Sequence, residues 1–294
     1  MADKTPVILV PMGFSEQSIQ ALDQALVFAK AMKASILLLA INNNDIHLRE
    51  IFGVKDRKED IHDKLEAKLN SIAAEHSASS GVAIEAMLTE GVVYEEIDRV
   101  SKEKDVDLVI MGTNGKPQNL RKRFIGSNAF RTVTLVDPPV ITIKGIRNIS
   151  SIKTIIFPLV LDRRSKEKVG PALHYARLFG AKIKVVSVLI EEDKEKVLKA
   201  HLKQVETFIK DHGIECTSEI IKPSKQQKGI VRNTLKYAYE NEGDLMIITE
   251  DSKERDFTDF FIGTDVQAMI YHSEIPVMSI TPSEVKWAAM WENM

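Results

Sequence analysis

A glycine-containing stretch in the first half of the chain holds the residues best suited to ligand chemistry. Residues 108–111 form an apolar run with the size of a buried strand, and Gly112 and Gly115 follow it closely. Gly126 and Ser127 then open a predicted helix. Free backbone N–H groups and the positive end of a helix dipole both favour an anion. The stretch is a candidate phosphate site, and the same spacing also suits a tight turn that binds nothing.

Sequence patterns typical of strands and helices alternate around this stretch. The elements that they predict must position it. The helix that follows Ser15, a residue type typical of an N-cap, repeats apolar residues at helical spacing: Ile19, Leu22, Leu26 and Ala29. The predicted strands are residues 7–10, 36–41, 82–88, 108–111 and 140–144. The other predicted helices are residues 60–77, 92–102 and 126–133. This alternation predicts a parallel sheet covered by helices on both faces.

The second half of the chain repeats the first. Two pairs of matching segments lie 147 positions apart, and two later pairs lie 137 positions apart. The change of offset indicates an extra loop around residues 42–59 in the first half and around 223–228 in the second. We therefore predict an internal duplication with its join near residues 147–151. The matching pairs are ILVP at 8 with IIFP at 155, AKAMKASILLLAI at 29 with ARLFGAKIKVVSV at 176, DLVIM at 107 with DLMII at 244, and GSN at 126 with GTD at 263.

The amino-acid composition limits the classes of protein to which this chain can belong. The 294 residues suggest two domains, and 44% hydrophobic with 28% charged residues is typical of a soluble globular protein. A formal net charge of -2 gives no reason to expect nucleic acid or an anionic membrane as a partner. Cys216 is the only cysteine, so no disulfide can form within the chain. The N-terminus lacks a signal-peptide pattern, and we expect a cytoplasmic protein.

The sequence resembles the universal stress protein family in its UspA-like, tandem two-domain form. The resemblance rests on ILVPMGFSEQSIQAL at the start, TEGVVYEEIDRVSKEKDVDLVIMGTNG before the glycines and GSNAFRTVTLVDPPVITIK after them. It implies an α/β fold of two tandem, doubly wound, Rossmann-like domains, each a five-stranded parallel sheet with helices on both faces. The implied domains are residues 1–147 and a degenerate repeat at 151–283, followed by a C-terminal tail at 284–294.

The resemblance also implies how the two domains associate. Members of the family pair through their last strands, so residues 141–144 are expected to meet residues 277–281 antiparallel within one chain. This pairing about a pseudo-twofold axis would close two exposed sheet edges. The result is an intrachain pseudo-dimer, with further homodimerisation left open.

The resemblance implies an adenine-nucleotide site in the first domain. Nucleotide-binding members carry a G-x2-G-x9-G-(S/T) signature and an aspartate just after the first strand. Here ten residues separate Gly115 from Gly126, and Gly13 stands in place of the aspartate. The implied ligand is ATP or AMP, with the need for Mg²⁺ left open. The predicted binding residues are Gly13, Ile41, Gly112, Gly115, Gly126, Ser127 and Asn128.

The second half departs further from the signature. Thr249 and Ser252 stand in place of the first two glycines, and Val160 stands in place of Gly13. Only the final pair, Gly263 and Thr264, is kept. The acidic residues of TEDSKERD would repel a polyphosphate, so we predict no nucleotide in the second domain.

Other site chemistries find no support in the sequence. A P-loop signature and the dinucleotide-binding G-x-G-x-x-G are both missing. The seven histidines do not fall at metal-ligand spacings, and Cys216 lies on a predicted strand, where we expect it to be a small core residue. We predict no metal site and no catalytic residues.

Three functions follow from this pattern. The first is a stress-response regulatory protein that senses adenine nucleotide through its first domain only. The second is a nucleotide-free module that binds a protein partner and keeps the glycines as relics. The third, weak hydrolysis of ATP, lacks a residue to activate water and has no clear magnesium ligand beyond Ser127.

Overall fold

The structure is a computed structural model, and it describes residues 4–43, 58–113, 127–144, 150–159, 165–223, 229–249 and 264–280. Contacts between Cα atoms divide the chain into two compact units, Met1–Ser150 and Ser151–Met294. Each unit is a parallel α/β fold, so the predicted fold class is confirmed. No helix in the described residues is long and apolar enough to cross a membrane.

The first unit has five described strands in the order β3-β2-β1-β4-β5, and every described pairing between them is parallel. The strands are β1 (Val7–Pro11), β2 (Ser35–Asn42), β3 (Ile84–Glu90), β4 (Leu108–Gly112) and β5 (Val140–Ile143). The helices are α1 (Glu16–Met32), α2 (Lys58–Ser80), α3 (Val93–Glu103) and α4 (Ser127–Leu135). The central strands β1 and β4 are almost wholly buried, which is why their sequences are continuous apolar runs rather than alternating ones.

The second unit repeats this order as β8-β7-β6-β9-β10, again with parallel pairings. The strands are β6 (Thr154–Pro158), β7 (Lys182–Val188), β8 (Cys216–Ile221), β9 (Leu245–Thr249) and β10 (Val277–Ile280). The helices are α5 (Ser165–Phe179), α6 (Glu195–Asp211), α7 (Ile230–Glu240) and α8 (Thr264–His272), with a 3-10 turn at Glu192–Lys194 before α6.

The element bounds follow the two offsets found in the sequence. β6 begins 147 positions after β1, at Thr154 against Val7. The elements α7, β9, α8 and β10 begin and end 137 positions after α3, β4, α4 and β5. The third strands, β3 and β8, follow neither offset. Ile36 of β2 pairs with Ile84 of β3, whereas the corresponding residue of β7, Ile183, pairs with Cys216 of β8. The first unit is therefore longer between its second and third strands, as the sequence indicated.

An aspartate ties two central strands together in both units, at the amino ends of the strands. The Asp107 carboxylate accepts the Val7 N–H at 2.8 Å, and the Asp107 N–H donates to the Val7 carbonyl at 2.9 Å. In the second unit, the Asp244 carboxylate accepts the N–H groups of Lys153 at 2.8 Å and Thr154 at 3.0 Å. This shared contact gives a physical reason for the aspartate that begins both DLVIM and DLMII.

The packing of α1 and the start of β3 differ from the sequence pattern. The buried face of α1 is formed by Ala21, Leu22, Ala25, Phe28 and Ala29, whereas Ile19 and Leu26 are only half-buried. The alanines let the helix lie close to the sheet, which an argument from large apolar residues overlooks. Strand β3 also begins two residues later than predicted, because Val82 belongs to the turn that the Ser77 and Ser80 hydroxyls hold.

Candidate functional site

The strand order of the first unit reverses beside β1. The chain passes from β1 through α1 to β2 on one side, and from β4 to β5 on the other side. In an open parallel α/β sheet, a crevice forms at such a point, outside the carboxyl ends of the strands. Any ligand of this unit is therefore expected where β1 and β4 end.

The β1–β4 register places Gly112 at this edge. Leu9 pairs with Val109, so Met12 and Gly112, each three residues further along, reach the same level of the sheet. Gly112 is the last residue of β4.

The β1–β2 register places two further predicted residues at the same edge. Pro11 pairs with Leu39, so Gly13 and Ile41, each two residues further along, leave the sheet at one level. Ile41 is half-buried and pairs with Thr89 of β3, and Gly13 is exposed. The structure thus brings Gly13, Ile41 and Gly112 to one edge of the sheet.

The loop between β1 and α1 is held at both of its ends. Met12 donates its N–H to the Leu39 carbonyl at 2.8 Å, which extends the strand pairing by one residue. Ser15 is the N-cap of α1, as predicted: its hydroxyl oxygen accepts the Ser18 N–H at 3.3 Å. Between these anchors, Phe14 takes the left-handed conformation with φ 57°, and the Lys68 ammonium lies 5.4 Å from the centre of its ring.

Gly13 has room for a side chain. A Cβ atom built at this position would meet no described atom within 4 Å, and the backbone is not in the left-handed region that requires glycine. A residue with a Cβ atom, such as aspartate, is therefore compatible with the described backbone at this position.

Gly112 is the opposite case. A Cβ atom built there would lie 2.9 Å from the Gln17 carbonyl oxygen and 3.0 Å from both the carbonyl carbon and the Cβ of Gln17. Real Cβ atoms almost never approach so closely, so only glycine lets the first turn of α1 rest on the end of β4. This contact accounts for the glycine without a ligand, and no pattern in the sequence indicates it.

The other predicted residues belong to the segment that leads into α4. Gly115 and Gly126 lie outside the described residues, and so does the ten-residue spacing between them. Ser127 is the first residue of α4, and Asn128 is exposed in its first turn. Arg131, one turn further on, donates to the Tyr94 hydroxyl at 2.8 Å and lies 4.8 Å from the centre of that ring.

Two carboxylates at and just beyond the end of β3, Glu90 and Glu96, accept hydrogen bonds. Glu96 accepts hydrogen bonds from Arg99, the shortest at 2.8 Å, and this contact holds the pKa of the Glu96 carboxyl below its usual value. The Asn42 amide donates to Glu90 at 3.2 Å, and the Gly91 N–H donates to the Asn42 carbonyl at 3.2 Å. This side of the edge is therefore tied together by polar contacts between the ends of β2 and β3.

Residues 5–144 match the model of the universal stress protein family. That match spans nearly all of the first unit. The first unit therefore contains a universal stress protein domain. The chain is also 29% identical over 153 residues to Universal stress protein MJ0577 of Methanocaldococcus jannaschii, an alignment that covers 47% of this chain and 93% of that protein. It is 26% identical over 145 residues to Universal stress protein YxiE of Bacillus subtilis, covering 47% of this chain and 97% of that protein.

Solved structures resemble the whole chain. A universal stress protein from Archaeoglobus fulgidus has a TM-score of 0.74 at 18% identity, covering 95% of this chain and 97% of that one. A putative universal stress protein from Pseudomonas aeruginosa has a TM-score of 0.67 at 16% identity, and the match covers 98% of this chain and 97% of that one. At such low identity, these similarities show that the complete two-unit fold has precedents, and nothing about its ligands.

The second unit has different residues at the corresponding edge. Thr249 ends β9 where Gly112 ends β4, and Thr264 is the first residue of α8. The described residues do not include Val160, Ser252 or Gly263. They also do not include the acidic residues of TEDSKERD. The predicted lack of a nucleotide in this unit therefore stays a prediction.

The structure assigns Cys216 to the core. Its thiol is 1% exposed on β8, and burial raises its pKa to about 12. A thiol in this state is protonated at neutral pH and a poor nucleophile. Among the described residues, no cluster of three His, Cys, Asp or Glu side chains is arranged to hold a metal ion.

Proposed function

We propose that the first unit binds an adenine nucleotide, ATP or AMP, at the carboxyl edge of β1 and β4. The protein would then act as a stress-response regulator that senses this nucleotide, without catalytic turnover. The observation that carries the proposal is the shared edge: the reversal of strand order brings Gly13, Ile41 and Gly112 together beside the end of β4. The universal stress protein domain in this half supports the stress-response role.

The expected affinity is modest because Gly13 offers no side-chain acceptor. A hydrogen bond to a charged group contributes roughly 1.5–3 kcal/mol, which corresponds to about one to two decades in Kd. The phosphates would then be held by backbone N–H donors of the glycine stretch and of the start of α4. Contacts to the nucleoside would contribute little to the affinity.

The first unit alone is proposed to bind. The second unit has threonine and serine in place of the first two glycines, and its acidic residues Glu250, Asp251 and Glu254 replace neutral ones. Like charges repel a polyphosphate, so this half would serve as a structural partner of the first.

One observation favours a second candidate function. Because the packing of Gln17 explains Gly112 without any ligand, retention of this glycine is also expected in a unit that binds nothing. The protein would then be a nucleotide-free module that binds a protein partner, with Gly115 and Gly126 as inherited residues.

One experiment separates the two candidates. Protein purified without added nucleotide is denatured, the supernatant is analysed for adenine nucleotides, and the native protein is titrated with ATP and AMP by calorimetry. Binding of one equivalent per chain, lost in Gly115→Trp, supports a single site in the first unit. Absence of release, together with no binding up to about millimolar ligand, where the binding free energy is only about -4 kcal/mol, contradicts it.

A further inference from the structure

We propose that an apolar patch of the second unit, formed by Ile190 and Val197, is an intrachain docking surface for residues 284–294. Ile190 follows β7, and Val197 lies in the first turn of α6. The segment itself, residues 281–294, lies outside the described residues. The exposure of the patch, the position at which β10 ends and the sequence of the segment support the proposal. It is independent of the proposed nucleotide site in the first unit.

The patch exposes large aliphatic side chains to water. Ile190 is 68% exposed and Val197 is 59% exposed. Among the described residues of the second unit, Tyr239 is the one other large apolar residue with such exposure. The Lys194 N–H donates to the Glu191 carbonyl at 3.1 Å, so the chain turns directly from Ile190 into α6. About two helical turns, roughly 10 Å, therefore separate the two side chains of the patch.

The first unit has polar residues where this patch begins. In the offset of 147 positions, Leu189 and Ile190 stand in place of Asn42 and Asn43. The backbone of the strand end is kept, since the Leu189 N–H donates to the Ile221 carbonyl of the neighbouring strand at 2.9 Å. The two repeats thus differ here in the character of the side chains, and the apolar version belongs to the unit that residues 281–294 follow.

Strand register places the end of β10 at the same edge of the sheet as the patch. Ile280 of β10 pairs with Thr249 of β9. The pairings of β9 with β6 and of β6 with β7 carry this level to Ser187. Ile190 therefore lies three residues beyond the level at which β10 ends. Three strand spacings of about 4.8 Å each, about 14 Å in total, separate β10 from β7.

The segment that follows β10 can reach the patch and has an apolar face to cover it. Trp287, Met290 and Trp291 recur at i, i+3 and i+4, which predicts one face of a helix. Ser283 is a residue type typical of the N-cap of such a helix. Three extended residues and one helical turn span about 16 Å, enough to bring Trp287 from the end of β10 to β7. Two tryptophans also offer a large apolar area for the contact.

The short connection favours this segment over a separate molecule as the occupant of the patch. A segment tethered by a few residues has an effective concentration of about millimolar at a site within its reach. A contact with two aliphatic side chains that is too weak to hold a second chain at micromolar concentration can therefore form within one chain.

Tryptophan fluorescence measures this docking directly, because the chain has two tryptophans and both lie in the segment. Quenching of the fluorescence by acrylamide is measured on the full chain, with a synthetic peptide of residues 281–294 as the reference for exposed tryptophans. We expect quenching of the wild-type chain to be clearly weaker than quenching of the peptide.

The patch is then changed in the double variant Ile190→Asn, Val197→Gln. Both side chains are exposed, so their replacement leaves no cavity, and asparagine is the residue that the first unit has at the matching position. Loss of two apolar contacts should lower the docking constant by about tenfold or more, and quenching should rise towards that of the peptide. Each single variant should give part of this rise. Val92→Gln, at an exposed valine of the first unit, is the matched control and should leave quenching unchanged.

Each other outcome overturns the proposal. Equal quenching of the wild-type chain and the peptide would mean that the segment does not dock. Weak quenching that neither the double variant nor the single variants change would mean that it docks elsewhere. Protection of the tryptophans that is lost on dilution, together with a fall in molecular mass by sedimentation, would mean that a second copy of the chain supplies the contact. None of these results depends on whether the first unit binds ATP.

Discussion

Acid should weaken the second unit through one carboxylate, Glu206 of α6. Burial alone would raise the pKa of this carboxyl, but hydrogen bonds from Lys210, Ser218 and Lys203 outweigh it and lower the pKa to about 2. The Lys210 ammonium lies 2.6 Å from one carboxylate oxygen, and the Ser218 hydroxyl lies 2.6 Å from the other. The Ser218 contact joins α6 to β8, and the Lys210 contact lies within α6.

The sign and size of the effect follow from the lowered pKa. The folded pKa lies below the ordinary value of 4.5, so the carboxylate stabilises the fold fully above about pH 4.5. This stabilisation is lost as the pH falls from there towards 2. The difference of pKa values corresponds to about 3 kcal/mol at neutral pH, as an upper bound, because the lysine partners are half exposed to solvent.

The assay compares wild type with Glu206→Gln in urea, at several pH values between 7 and 2. Hydrogen exchange of peptides from residues 195–221 reports on the second unit alone, since a chain of two units need not unfold in one step. We expect the difference in unfolding free energy to be largest at pH 7, to shrink below about pH 4.5 and to vanish near pH 2. Glu192→Gln, at an exposed residue before α6, is the control and should change little. A difference between wild type and Glu206→Gln that stays constant with pH would refute the reasoning.

Three further predictions concern other contacts. Asp244→Ala should destabilise the second unit by about 1–3 kcal/mol in urea unfolding, because the N–H groups of Lys153 and Thr154 lose their acceptor. The stability of Asp244→Asn should lie between those of wild type and Asp244→Ala. Equal stability of all three proteins would contradict this prediction. Ser15→Ala should cost about 1 kcal/mol and speed exchange of the Ser18 amide, whereas an unchanged amide would mean that the cap is not formed in solution. Cys216 should resist a disulfide reagent at pH 8 in the native protein and react fully in urea, because the thiol is buried with a pKa of about 12; rapid native labelling would show that β8 opens readily.

Most of the fold could be predicted from the sequence because its signals are local or repeated. Buried parallel strands produce short apolar runs such as residues 108–111, and the duplication gives two independent views of each element. The details that the sequence pattern does not indicate depend on contacts between elements. The buried face of α1 is set by alanines that allow close packing, and the start of β3 is set by serine hydroxyls in the preceding turn.

The candidate site was predicted less completely, for a related reason. The positions of Gly13, Ile41 and Gly112 at one edge follow from parallel register, which strand order determines. The role of Gln17 could not be predicted, because it acts through its backbone and any residue type could supply the same atoms. Open space at Gly13 and crowding at Gly112 are equally invisible in sequence, where both are simply glycines.

The most direct test of the nucleotide site is the ATP affinity of Gly13→Asp relative to wild type, measured by calorimetry on the full chain. The position has room for a Cβ atom, and the carboxylate would add a charged acceptor, so we expect binding to be about 10 to 100 times tighter, with Gly13→Asn gaining less because its amide carries no charge. In Gly115→Trp, Gly13→Asp should bring no gain, since the phosphate end of the site would be blocked. Equal or undetectable binding in wild type and Gly13→Asp would contradict a nucleotide site at this edge.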